Sequence, residues 1–385
     1  MADTIDSLVE RLYKAAGESG EARNKALDAL RDLRLKLEAP GDIFNRLSYL
    51  QLELAATRIG EDLAVYQTLA ESAEPVTVSQ FVAKTGDAPL FSRRVLRFLA
   101  SIGQIQEAGR DAFTANATTK VLAHPGYRGV VYHTFDNLGP ILQVFPDFLA
   151  ETKYQDVNDA AKTAGQKAFH TPLPMFEWMP TQPERFGPLQ QTMSVQPRAA
   201  VPWFSVFPFE KELGSFAGPA ALVDVGGGFG HQCLALLAAF PRLKDSLVLQ
   251  DLPQTLEHLP GPPLDGIKTA AHDFFQEQPV TGARFYYLRN LLHDWPDDKA
   301  IAILGRLKDA FGPESQILID EVVMPNEGAH WQSTSLDMIM MASLGSRERT
   351  VADWHALLEA AGLRILRIDT YMPRKQDSII QAVAA

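Results

Sequence analysis

Two features of this sequence carry most of its legible chemistry: a histidine and a glycine loop. His293 lies in Leu288-Arg-Asn-Leu-Leu-His-Asp-Trp295, which reads as a strand running into a short loop. Imidazole titrates near neutral pH, so a histidine there suits the removal of a proton from a reacting hydroxyl. A capping or core histidine would occupy the same kind of loop. The second feature is Val223-Asp-Val-Gly-Gly-Gly-Phe-Gly230, a strand followed by a glycine-rich turn and a helix. Glycines permit the tight turn and let a ligand approach the backbone. Asp224 precedes the loop within its strand. Asp251 follows 27 residues later at the end of the next strand, where a carboxylate can accept both hydroxyls of a ribose. A nicotinamide dinucleotide is the alternative ligand. Against it, the glycines fall at Gly226, Gly228 and Gly230, one residue short of the dinucleotide spacing.

Taken with Leu249-Gln-Asp-Leu-Pro253, His272-Asp-Phe-Phe275 and Arg347-Glu-Arg-Thr350, these stretches resemble the S-adenosylmethionine-dependent O-methyltransferases of plants and fungi. The resemblance covers nearly the whole chain. It implies that S-adenosyl-L-methionine is the cofactor. The glycine loop of Gly226, Gly227 and Gly228 would face its methionine part, Asp251 the ribose, and Asp273 and Phe274 the adenine, with Asp224 and Leu252 also among the cofactor-binding residues. Arg289 stands where the family has a basic residue near the cofactor. His293 falls at the family's general base, flanked by Glu321 and Glu348.

The stretches beginning at Tyr132, Phe169 and Val201 are of the fungal type. That group is similar to both genuine methyltransferases and the O-methyltransferase-like pericyclases of the leporin type, which close rings on pyridone alkaloids. His133, Arg198 and Arg289 fall where the pericyclase branch contacts its substrate. Donors aimed at a carbonyl polarise a diene or quinone methide and lower its cyclisation barrier. The resemblance thus implies a pericyclase performing dehydration-linked cyclisation of a hetero-Diels–Alder or Alder-ene kind, with the sulfonium as an unconsumed charge. The alternative is O-methylation of a phenolic or enolic hydroxyl with His293 as base. Asn290 departs from the leporin-type pattern, which has an acid there, and this places acid-assisted dehydration in doubt.

The elements that must position these residues can be read from periodicity. From Ala220 onward short apolar strands alternate with helices, the pattern of a mostly parallel, doubly wound Rossmann-like sheet. Strands are expected at Ala221–Val225, Ser246–Leu249, Phe285–Leu288, Gln316–Ile319, Arg364–Thr370 and Ser378–Ala382. The expected division is 1–72 helical dimerisation region, 73–124 winged helix, 125–215 helical pocket region and 216–385 cofactor domain. Pro40-Gly41 is expected to end the first helices. The winged helix is expected to start with a helix capped by Ser79 and to close with a hairpin turning at Gly109-Arg110-Asp111.

Arg93, Arg94 and Arg97 could read DNA from such a module. A net charge of −11 argues instead for a packing role and against nucleic acid as a partner. The substrate pocket is expected to include Phe44, Met193, Met338 and Met341, with Phe44 reaching into the partner of a homodimer. A lone cysteine, Cys233, excludes a disulfide framework and a thiolate metal cluster, and no metal is expected. No apolar run is long enough for a membrane span, and the first residues lack a secretory pattern. A cytoplasmic enzyme of fungal secondary metabolism, acting on a polyketide or alkaloid, is the resulting expectation.

Overall fold

The computed structural model describes residues 4–195, 201–257, 259 and 264–385. The chain divides into two compact units. One comprises Met1–Phe135 with Gly187–Ala200, the other Asp136–Phe186 with Val201–Ala385.

The first unit opens with helices Ile5–Ala16, Gly20–Leu37 and Pro40–Asp62. Thr4 and Ser19 cap the first two, the Ser19 hydroxyl accepting from the Ala22 amide at 3.0 Å. Pro40-Gly41 does not end a helix, as expected, but begins one. A first-turn proline has no amide to lose, and the Asp42 carboxylate accepts from the Ala39 amide at 3.0 Å. Much of the apolar surface of these helices is uncovered, including Leu33, Phe44, Leu47 and Leu50. Strands β1 (Val76–Thr77), β2 (Gln106–Gly109) and β3 (Ala112–Thr114) then form a small sheet in the order β1-β3-β2. The helix after β1 is capped by Thr77 rather than Ser79. Thr77 and Gln80 form a reciprocal capping box, and the two residues before that helix pair with β3. Asp111, in the expected hairpin turn, lies 2.9 Å from Arg93 and 3.2 Å from Arg97.

The second unit is built on an eight-stranded sheet. Its strands are β4 (Leu222–Val225), β5 (Leu247–Asp251), β6 (Ile267–Ala271), β7 (Phe285–Arg289), β8 (Gln316–Met324), β9 (Arg349–Thr350), β10 (Leu363–Met372) and β11 (Asp377–Ala384). The order is β10-β11-β8-β7-β4-β5-β6, with β9 alongside the end of β8. β4 to β8 run parallel, and β11 lies antiparallel between β8 and β10. β4 and the first four residues of β5 and β7 are buried, as strands covered by helices on both faces require. The core packs Val223, Val225, Leu288, Ile303, Leu304, Ile319, Trp354 and Ile380. The chain passes from β4 outward to β6 and then returns to the other side of β4, so the order reverses between β4 and β7. Ligands of open α/β sheets bind at the carboxyl ends of strands at such a reversal.

The helical segment of this unit packs Ile141, Phe145 and Phe148 against Ala342 of helix Trp331–Leu344. Residues His133–Leu138 form a π-turn rather than the plain helix expected. Pro140 has no amide to offer the Asp136 carbonyl, which accepts instead from the Arg185 guanidinium; the Asn137 amide in turn donates to the Arg185 carbonyl at 3.0 Å. Among the described residues, no helix is long and apolar enough to cross a membrane.

Candidate active site

The glycine loop leaves β4 at the reversal point. Gly226 has φ +66°, and a β-carbon there would lie 2.5 Å from Leu291 Cδ1. At Gly227 a β-carbon would meet Asp224 Cγ and Leu249 Cδ1, each at 2.5 Å. The loop therefore packs down onto the sheet as only glycine can. Asp251 ends β5 and pins the loop: one carboxylate oxygen accepts from the Gly228 amide at 2.9 Å, the other from the Leu252 amide at 2.8 Å. Each oxygen keeps a lone pair for a further donor, so the group suits a ribose diol. Asp273 accepts from the Phe275 amide at 3.0 Å, which fixes the turn carrying Phe274. The Phe274 ring borders Gly226 and lies edge-on to Trp295.

Asp224 is wholly buried beneath Gly227. Burial pushes its carboxyl up to about 7, against the weak Cys233 thiol contact at 3.5 Å. Asp224 thus supports the loop from below.

On the other side of the reversal, two consecutive acids of β8 hold the turn after β7. Successive strand residues point to opposite faces, so Asp320 and Glu321 serve different parts of it. Asp320 lies 3.3 Å from the Arg289 guanidinium and accepts from the phenols of Tyr287 at 2.5 Å and Tyr371 at 2.6 Å. Its carbonyl accepts from the Asn290 amide at 3.1 Å. Asn290 sits at φ +45°, a left-handed conformation that asparagine tolerates better than most residues, and it reverses the chain. Glu321 Oε1 then gathers the amides of Leu291 and Leu292, both at 2.8 Å.

His293 is thereby presented with Nδ1 2.7 Å from Glu348 Oε1 and 3.8 Å from Glu321 Oε2. Asp294 Oδ1 lies 3.5 Å from Nε2. The short Glu348 contact assigns the proton to Nδ1 and leaves Nε2 as the basic nitrogen. Burial works against the imidazolium, but Glu321, Asp294 and Glu348 outweigh it and hold the His293 pKa well above its ordinary value. Burial also raises Asp294 to about 7, with His293 opposing. Nitrogen and oxygen atoms of His293, Glu321 and Glu348 lie within 4.8 Å of one another. Ligands on a tetrahedral zinc stand about 3.3 Å apart, so the 2.7 Å Nδ1–Oε1 contact is a hydrogen bond rather than a metal-holding spacing.

Three supports of this cluster were not singled out in the sequence. The Asp337 carboxylate accepts from the Glu348 amide at 2.8 Å, and the Ser346 hydroxyl donates to the His293 carbonyl. The fully buried Arg349 donates to the Leu292 carbonyl at 2.8 Å, to the Trp295 carbonyl at 2.9 Å and to Asp297. The charge alternation of Arg347-Glu-Arg was the available signal, since a charge beside a strand end is buried only when paired.

The structure brings together Asp224, Gly226, Gly227, Gly228, Asp251, Leu252, Asp273 and Phe274 on one side of the reversal. Arg289, Asn290, His293, Glu321 and Glu348 gather on the other. Met341 packs in the apolar cluster around Phe145, whereas Met338, on the same helix, is half exposed. His133 opens the π-turn, half-buried, with burial lowering its pKa. Phe44 and Met193 belong to the first unit and are exposed. Arg198 lies outside the described residues.

This sheet, with an antiparallel strand inserted between β8 and β10 and a glycine loop at the reversal, is the class I methyltransferase fold. Residues 209–364 match the O-methyltransferase domain family. The chain is 43% identical to demethylsterigmatocystin 6-O-methyltransferase of Aspergillus flavus, over 99% of this chain and 98% of that protein. A solved structure described as a pericyclic reaction enzyme superposes with a TM-score of 0.94 at 36% identity, covering 99% of each chain. LepI in complex with S-adenosylmethionine superposes at 0.93 with 37% identity, covering 99% of this chain and 98% of that one. The chain belongs to the S-adenosylmethionine-dependent O-methyltransferase family in its plant and fungal form, within which pericyclic enzymes also occur. S-adenosylmethionine is its cofactor. The glycine cradle that a β-carbon would fill, and the Asp251 carboxylate at its rim, fit that molecule.

Proposed function

We propose that this enzyme methylates a phenolic or enolic hydroxyl of a polyketide-type small molecule, with His293 as the general base. The observation that carries the reading is the 2.7 Å bond from His293 Nδ1 to the buried Glu348, backed by Glu321. When bound, the cofactor supplies an electrophilic methyl group on a sulfonium. His293 Nε2 takes the hydroxyl proton, Glu348 fixes the tautomer, and the nearby acids stabilise the imidazolium that results. The 43% identical relative, whose name specifies O-methylation of demethylsterigmatocystin, supports this reading. The test is incubation with S-adenosylmethionine and hydroxylated polyketide acceptors. S-adenosylhomocysteine and a product heavier by one methyl are expected in equal amounts. Replacement of His293 by alanine should lower the rate about 10²–10⁴-fold. Turnover without S-adenosylhomocysteine overturns the reading.

The second reading, pericyclic ring closure with an unconsumed cofactor, draws support from the 0.94 superposition and from His133, Arg198 and Arg289. Less favourable to it are Asn290 in place of an acid and the ion pair that engages one edge of Arg289. Product mass equal to substrate mass, or to substrate minus water, is its signature.

The same proposal includes a homodimer through the uncovered helices of residues 5–62 and a winged-helix module used for packing. Arg93 and Arg97 are held on Asp111 rather than offered to a phosphate backbone. The fourfold division at 72, 124 and 215, a cytoplasmic location, and a substrate pocket walled by Met338 and Met341 complete it.

A further inference from the structure

Arg289 ends β7 at the reversal, and the parallel register Val225–Leu288 sets it alongside Gly226 of the glycine loop. Its guanidinium is partly exposed, while Asp320 beneath it is buried. Both carboxylate oxygens of Asp320 are engaged: Tyr371 donates to Oδ1 at 2.6 Å, and Tyr287 donates to Oδ2, which also lies 3.3 Å from Arg289 Nη1. A buried carboxylate needs such partners to stay charged, and a charged Asp320 in turn confines an otherwise mobile side chain. Only one edge of the guanidinium is needed for Asp320, and its planar fork leaves further N–H groups for a second carboxylate. The amino-acid end of S-adenosylmethionine carries a carboxylate, and the glycine loop beside Arg289 is where that end is expected.

We propose that Asp320, with the phenols of Tyr287 and Tyr371, is a positioning residue that holds Arg289 in a single pose to receive the carboxylate of the cofactor's amino-acid end. The inference rests on the cofactor and not on whether a methyl group is transferred. A purely structural Asp320 would affect every ligand alike, whereas a positioning Asp320 affects only ligands that bear the carboxylate.

Two probes separate these cases by calorimetry on the full chain: S-adenosylhomocysteine, which keeps the amino-acid end, and 5′-methylthioadenosine, which lacks it. Asp320→Asn is expected to weaken S-adenosylhomocysteine about tenfold or more, the scale of one charge-assisted hydrogen bond, and to leave 5′-methylthioadenosine within about twofold. Arg289→Ala should show the same selectivity. Tyr371→Phe, which removes one donor without a buried charge change at the arginine, should show it more weakly and carries the test if Asp320→Asn does not fold. Equal weakening of both probes in the folded variants overturns the proposal. So does selective loss in Arg289→Ala with none in Asp320→Asn and Tyr371→Phe, and so does unchanged affinity throughout.

Discussion

Replacing Glu348 by glutamine keeps a carbonyl oxygen for His293 Nδ1 but removes the charge 2.7 Å away. The tautomer is preserved, so Nε2 stays the basic nitrogen, while the imidazolium loses its closest anion. A hydrogen bond to a charged group contributes about 1.5–3 kcal/mol and a neutral one about 0.5–1.5, a difference of roughly 1–1.5 kcal/mol. At about 1.36 kcal/mol per pH unit, the His293 pKa should fall by about one unit. It should not collapse, because Asp294 at 3.5 Å and Glu321 at 3.8 Å remain. A base works only when deprotonated, so the acid limb of the rate profile should move to lower pH by about that amount. The plateau rate should drop with the weaker base. The assay is S-adenosylhomocysteine release at saturating acceptor, followed across pH. Glu348 Oε2 has no partner, so the glutamine NH₂ would face none either. The parent's anionic Oε2 is equally unpartnered, so any stability change comes from the His293 contact and stays within about 1–1.5 kcal/mol by urea denaturation. An acid limb that stays in place, or moves upward, in a folded variant refutes the assignment of Glu348 as the group that holds the base.

Gly227→Ala drives a β-carbon to 2.5 Å from Leu249 Cδ1 and Asp224 Cγ; the loop must lift, costing about 1–3 kcal/mol of stability, and S-adenosylhomocysteine binding by calorimetry should be lost. Asp224→Asn should remove a pH-dependent penalty: the buried carboxyl rises from 3.8 to about 7, so its cost is absent below the unfolded value and grows as pH rises towards 7. The variant should therefore gain on the parent between pH 4 and 8, by on the order of 4 kcal/mol at most, and identical urea midpoints for the pair at pH 8 would count against a charged, unpaired Asp224. Leu47→Asp combined with Leu50→Asp places charges on the uncovered face of helix Pro40–Asp62, and light scattering should report a monomer for the variant against the dimer proposed for the parent chain.

The parallel core was legible because strands buried on both faces read as continuous apolar runs: β4, β5 and β7 fall within a residue or two of their expected ends. β6 escaped because Ile267–Ala271 is an edge strand with only Ile267 buried, so no apolar run marks it. β9 has two residues and exists only by pairing with the end of β8. Pro40 misled because a proline marks a helix start as readily as an end, and the Asp42 bond that decides between them is a matter of geometry. The π-turn at His133–Leu138 depends on Arg185, some fifty residues away, which local periodicity cannot register. In the site, Asp251 and His293 were legible because their spacing from the strands is local. Asp320, Tyr287 and Tyr371 were not, because a tyrosine in a buried strand reads as core until a carboxylate on another strand of the sheet is found to accept from it.

That last group also bears on which reaction the fold serves. A donor that polarises a substrate carbonyl acts best when already aimed at it, and the Arg289 guanidinium is bound on one edge to a carboxylate whose other contacts are two phenols. A guanidinium so paired is a weaker hydrogen-bond donor than an unpaired one, but its pose is fixed. His293 stands in the opposite condition: surrounded by Asp294, Glu321 and Glu348, it gains charge easily and holds it. Those acids stabilise the charge that proton removal from a hydroxyl would place on His293, at the cost of a smaller deprotonated fraction to begin with.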